Sequence, residues 1–254
     1  MRPLASFSLL LCLCLPWEGF AAATPVEVHQ VLALSVGTPD KVVALTLDAC
    51  GGGFDRELIE FLIDRRIPTT IFATKRWLDR NQAGLSMILA HPDLFEVEDH
   101  GWRHVPAVIG DDRRVYGIVG HPDVAHLKRE ISVGAQAVQK ATGVGPRWYR
   151  AATGEYDPEA LETIEAMGYK VAGFSVNADD GATLERRVIV ARMQRVKSGD
   201  IIIAHMNRPE SDTAEGLAAS LPQLLERGYR FVKLNDADVR RVPARIPRSK
   251  GGKP

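Results

Sequence analysis

The sequence predicts an α/β protein built on a parallel sheet, and three observations carry that prediction. Strand-like apolar runs alternate with helix-periodic stretches along most of the chain, through short connections, which implies parallel pairing by right-handed crossovers. The first run, residues 41–47, is nearly all apolar, as a strand covered on both faces should be. Ionisable residues collect just past the strands: Asp48, then His100 and His104, Arg150, Asp179 and Asp180, and His205. In a parallel barrel those ends lie on one face, so positions far apart in the chain can converge there. About seven strands suit a distorted (β/α) barrel; a doubly wound open sheet competes with it, and periodicity does not separate the two.

The elements follow in order. Arg2, an apolar run over 4–17 and small residues before Thr24 read as a secretory signal peptide over 1–23, too short to remain as a membrane anchor. The expectation is therefore an exported protein, periplasmic or extracellular, with no stable membrane insertion after cleavage. Cys12 and Cys14 fall inside that segment, which leaves Cys50 as the one thiol and allows no intramolecular disulfide. After a polar lead over 24–40 comes the first strand, and Leu58, Ile59, Phe61 and Leu62 then fall at helical spacing behind Asp55, a suitable N-cap. Strands are expected at 68–72, 94–98, 146–149, 170–174, 200–204 and 229–234. Helices are expected at 77–89, 122–141 with Pro122 in its first turn, 157–167, 184–197 and 213–227. Residues 105–121 show no period and read as a long loop in a cleft wall.

No fixed repeat or low-complexity linker divides the chain, so residues 41–235 are taken as one domain. Hydrophobic content of 45% and charged content of 25% are ordinary for a globular protein. A formal net charge of zero gives no sign of a nucleic-acid or membrane-surface binder. Basic residues thicken only over 236–254, from Arg240 and Arg241 to Lys253, among prolines and glycines, and read as a solvated tail.

His100 and His104 stand four residues apart, a spacing that lets two imidazoles close on one metal ion. The metalloprotease helix shares that spacing but needs Glu after the first His; here Gly101 stands there, a poor helix former. Singly, each residue has a plain alternative: Asp48 as a helix cap, Arg150 as a solvated charge, His205 as a satisfied core imidazole. Together at strand ends they fit metal-assisted hydrolysis, with Asp48 accepting the proton of water, His205 protonating a leaving amine and Arg150 holding Asp48 ionised.

Thr46-Leu47-Asp48, the His100–His104 pair, Arg150 after Trp148-Tyr149, Asp179-Asp180 and Ile203-Ala204-His205 resemble, in order, the five motifs of the polysaccharide deacetylase (NodB-like) family. The resemblance spans 41–235 and implies a distorted (β/α) barrel, a divalent metal that is usually zinc, and removal of acetyl groups from N-acetylated or O-acetylated sugars of a polysaccharide or peptidoglycan. It implies Asp48 as catalytic base, His100 and His104 as metal ligands, Arg150 as the brace of the base, His205 as catalytic acid, Asp180 as the carboxylate orienting that acid, and Ile203 as a wall of the acetyl pocket. The chain departs from the pattern at Ala49, where the family carries a metal-binding aspartate. Cys50, Asp99, Asp55, Asp48 or water are the substitutes open to it, with water beside two histidines preferred. It departs again at Ala151-Ala152-Thr153-Gly154, where the family prefers proline, and at Gly181, where it carries an aromatic residue. Two other readings stand beside the deacetylase: a glycan-binding relative with an impaired metal site, and a hydrolase of another C–N bond. Trp102, Trp148, Tyr149 and Tyr156 are the aromatics placed to stack on a sugar, with burial the expected role of Trp148.

Overall fold

The structure is a computed structural model and describes residues 24–35 and 40–243. The predicted signal peptide and the end of the predicted tail lie outside them. A single sheet of eight strands, every pairing parallel, organises the chain. In chain order these are β1 (Lys41–Ala49), β2 (Thr69–Ala73), β3 (Phe95–Asp99), β4 (Trp148–Tyr149), β5 (Lys170–Val171), β6 (Val176–Asn177), β7 (Ile201–His205) and β8 (Tyr229–Val232). Their spatial order is β5-β4-β3-β2-β1-β7-β6, with β8 alongside the start of β1.

This is the expected distorted barrel, and its distortion is local. The single strand expected at 170–174 divides in two: Lys170–Val171 pairs with β4, and Val176–Asn177 pairs with β7. One short segment thus borders both edges of the curled sheet. Residues of the lead fill the seam between them. Gln30 N donates to Phe174 O (3.0 Å), Phe174 N to Val28 O (3.2 Å), and Gly173 N to the Gln30 side chain (2.7 Å). A Cβ at Gly173 would come within 2.0 Å of Val28 O, so only glycine lets the two chains meet there. The lead continues into a strand, Gln30–Leu32, which pairs antiparallel with Val239–Arg241. The start of the basic tail is therefore a strand rather than a solvated extension.

Side chains alternate across a strand, and β1 shows what that does. Val43, Leu45 and Leu47 pack outward against the helices, whereas Val42 and Ala44 face a second apolar cluster inside the curl with Phe72, Ile201 and Ile203. Thr46 and Asp48 continue the inner face toward the carboxyl end of the strand. The helices are α1 (Arg56–Asp64), α2 (Lys75–Arg80), α3 (Gln82–Leu89), α4 (Val124–Thr142), α5 (Pro158–Ala166), α6 (Arg186–Met193) and α7 (Thr213–Glu226). Asp55 caps α1 by accepting from Leu58 N (3.0 Å). The helix expected over 77–89 breaks into α2 and α3 at Asn81, whose backbone leaves the helical region. Pro122 lies outside α4, which Asp123 caps instead by accepting from His126 N (2.9 Å). No helix among the described residues is long and apolar enough to cross a membrane.

Candidate active site

The carboxyl ends of β1, β3, β4 and β7 meet at one cavity of about 670 Å³, a size typical of small-molecule sites. Register brings two of its groups side by side, since Asp48 of β1 pairs with His205 of β7. Asp48 is 3% exposed, and Arg150, fully buried, donates to its Oδ1 at 2.7 Å. Arg150 also donates to Thr46 Oγ1 (2.9 Å), Gly173 O (3.1 Å) and Ala172 O (3.4 Å), and lies over the Phe72 ring at 4.1 Å. Burial alone would raise the Asp48 pKa; Arg150, then His100 and His205, outweigh it and hold the carboxyl below the usual carboxylate value.

His205 is held from the other side. Asp179 is fully buried; its Oδ1 meets His205 Nδ1 at 2.9 Å, and its Oδ2 accepts from His205 N (2.7 Å) and Thr213 Oγ1 (2.9 Å). Burial disfavours a charged imidazole, but Asp179, by charge and by hydrogen bond, carries the His205 pKa well above its usual value. The carboxylate that orients His205 is thus Asp179, which corrects the assignment to Asp180. Asp180 instead occupies a turn with left-handed backbone (φ 53°), its amide bonded to the Asn177 side chain (2.8 Å).

A third group completes the arrangement. His100 Nδ1 lies 2.7 Å from Arg150 O, an oxygen that can only accept, so Nδ1 carries a hydrogen and Nε2 is the nitrogen turned toward the site. That nitrogen faces Cys50 Sγ at 3.4 Å and Asp48 Oδ2 at 3.6 Å. The His100 and His104 rings stand 4.9 Å apart. The ligand atoms of Cys50, His100 and His104 all lie within 4.8 Å of one another. Burial opposes ionisation of Cys50, yet its imidazole neighbours, His100 foremost, bring the thiol pKa well below its usual value. The donor set fits a divalent ion: a thiolate, two imidazoles, and a backbone carbonyl fixing one ring from behind, as metal-bound histidines require. Of the other substitutes, Asp55 caps α1, and Asp99 is buried with Oδ1 accepting from Gly101 N (2.8 Å).

Residues 35–172 match the family model described as polysaccharide deacetylase. The chain belongs to the polysaccharide deacetylase family. It is 24% identical over 202 residues, 78% of this chain and 88% of the relative, to a peptidoglycan-N-acetylglucosamine deacetylase of Bacillus cereus. Among solved structures, the peptidoglycan deacetylase PdaC of Bacillus subtilis superposes with a TM-score of 0.62 at 22% identity, covering 78% of this chain and 90% of that one. A family 4 carbohydrate esterase pseudoenzyme of Bacillus anthracis superposes with a TM-score of 0.61 at 20% identity, covering 78% of this chain and 65% of that one. These structural likenesses speak for the fold.

The structure therefore brings together Asp48, His100, His104, Arg150 and His205; Asp180 also lines the cavity but makes no contact with His205. Two placements go beyond the sequence reading: Cys50, there one open substitute with water preferred, stands with the two histidines, and Asp179 rather than its neighbour Asp180 meets His205. Cys50 follows the last residue of β1 and precedes Gly51, so nothing local fixes its direction until the barrel closes. Asp179 had a usable signal: Asp180-Gly181 is a turn dipeptide, which reserves the second aspartate for the turn and frees the first. Trp148, Tyr149 and Tyr156 are buried in the core, and the Trp102 ring has Arg103 at 3.9 Å and Arg129 at 5.3 Å. The aromatics that line the cavity are Phe174, which is buried, and Tyr116, 77% exposed at the tip of a hairpin within 105–121 and bonded to Glu155 (2.9 Å).

Proposed function

We propose that the chain is an exported, metal-dependent hydrolase that removes acetyl groups from N-acetylated, or O-acetylated, sugars of a polysaccharide or peptidoglycan. One observation carries this reading: a carboxylate held ionised and an imidazole held protonated stand in register on adjacent strands beside a Cys-His-His cluster. Cys50, His100 and His104 would hold the ion, with zinc the choice for a thiolate and two imidazoles, and when bound it supplies Lewis-acid polarisation of the acetyl carbonyl.

The remaining work falls to the chain's own groups. Asp48, kept ionised by Arg150, takes a proton from water as the water oxygen adds to the carbonyl carbon. His205, kept protonated by Asp179, gives its proton to the sugar nitrogen as the C–N bond breaks, so that acetate and a free amine leave. The 2.9 Å contact of Asp179 with Nδ1 directs the reactive proton to Nε2. Ile203, inward on β7 two residues before His205 and lining the cavity, offers an apolar wall to the acetyl methyl. The family's glycan substrates and the apolar start of the chain support export to where such polymers lie.

Acetate release from N-acetylglucosamine oligomers tests the proposal. Purified protein is expected to release acetate, to stop after chelation, and to lose at least about 100-fold on Asp48→Asn, as removal of a general base does. Undiminished release by Asp48→Asn overturns the mechanism. Ala49, a methyl where the family carries a metal-binding aspartate, favours a second reading as a glycan-binding relative without catalysis. That reading expects saturable oligosaccharide binding and no acetate release with or without added zinc.

A further inference from the structure

The loop that carries His100 and His104 is seated on one face of α4. Glu130 of that helix is 3% exposed, and its Oε1 accepts from Arg103 N at 2.6 Å and from Val105 N at 3.4 Å. The amides of Trp102 and His104 also turn toward it. A Cβ on Gly101 would stand 2.8 Å from the same oxygen, and the Gly101 backbone is left-handed (φ 87°). One turn further along α4, Gly134 makes room for the loop: a Cβ there would meet Asp99 Oδ1 at 2.2 Å and Gly101 C at 2.7 Å. His104 itself has φ 66°, a region that side-chain-bearing residues enter at a cost unless their surroundings impose it.

Building on the assignment of Cys50, His100 and His104 as an ion-binding set, we propose that Glu130 is a positioning residue of that site. Its carboxylate gathers the amides on either side of His104 and locks that residue in the left-handed turn that faces its ring toward His100. A buried carboxylate ringed by backbone N–H groups is a strong, directional clamp. It acts on a ligand from behind, as the Arg150 carbonyl does on His100, and here it fixes the backbone rather than the ring.

The test compares wild type with Glu130→Met, which keeps the length but has no oxygen, and Glu130→Gln, which keeps an oxygen without the charge. In metal-free protein, amide hydrogen exchange at Arg103 and Val105 should be about tenfold faster or more in Glu130→Met, with Gly101, held by Asp99, unchanged. Glu130→Gln should fall between the two. In cobalt(II) titrations followed by the thiolate charge-transfer and d–d bands, Glu130→Met should raise the dissociation constant about 10- to 100-fold, and Glu130→Gln less. Wild-type protection at Arg103 and Val105 in both variants, or cobalt binding by both with wild-type affinity and spectrum, overturns the proposal. If Glu130→Met does not fold, Glu130→Gln decides it: identity with wild type in both readouts is the refuting result. Wild-type protein that takes up no cobalt would refute the metal reading, while exchange at Arg103 and Val105 would still decide whether Glu130 seats the loop.

Discussion

Replacing Arg150 by methionine isolates what the buried guanidinium contributes. Methionine fills much of the aliphatic volume over Phe72, so the loss is mainly polar. Asp48, 3% exposed, is left as a buried charge without its partner at 2.7 Å. Gly173 O loses its donor at 3.1 Å, whereas Ala172 O keeps the Tyr156 hydroxyl at 3.4 Å. Removing one member of a buried ion pair costs about 3–5 kcal/mol. At about 2–4 °C per kcal/mol for a domain of this size, the melting temperature should fall by about 6–20 °C. The pH dependence distinguishes this origin from lost packing. In wild type the Asp48 pKa is lowered, so its stabilisation is present above the ordinary carboxylate range and lost as pH falls through the lowered value. In the variant burial prevails and the pKa rises, so the folded state gains as Asp48 takes up a proton. The deficit should be widest at neutral pH and above, and should narrow toward acid. The double variant Asp48→Asn/Arg150→Met removes the stranded charge and should be more stable than Arg150→Met alone, with a coupling of about 0.5–3 kcal/mol. Urea unfolding followed by circular dichroism across pH measures all three. A deficit under about 1 kcal/mol at pH 8, a pH-independent deficit, or a double variant no better than the single one refutes the reasoning.

Three further outcomes follow from the geometry. Asp179→Asn removes the charge that holds His205 above the usual imidazole pKa, so the basic limb of kcat/KM against pH should move to lower pH; Asp180→Asn, altering only its own turn, should leave that limb in place. Cys50→Ala should lower zinc retained after gel filtration to well under one ion per chain, and zinc should protect the wild-type thiol from iodoacetamide; equal retention by both proteins would remove Cys50 from the ligand set. Gly173→Ala should destabilise the fold by about 1–3 kcal/mol in urea unfolding, because its methyl meets Val28 O where the lead seals the barrel seam; no change would mean the seam yields freely.

What could be read in the chain was whatever one strand determines by itself. The unbroken apolar run before Asp48 marked a covered strand, and period-two alternation then commits Thr46 and Asp48 to the inner face with Val42 and Ala44. The same logic put His100, Arg150 and His205 just beyond strand ends, where the barrel gathers them. What stayed hidden depends on groups that meet only after folding. The split between Lys170–Val171 and Val176–Asn177 arises because the barrel's two edges approach the same segment, and no local apolar pattern encodes an edge. Cys50 has neither periodicity nor a cap to direct it; its position becomes defined when His100, fifty residues later, is pinned by Arg150 O, another fifty residues on. The Ala49 departure accordingly looks like a missing ligand in one dimension. In three, the thiol of the next residue stands beside both imidazoles, where under the proposed function a soft sulfur donor would take the place of the hard oxygen one.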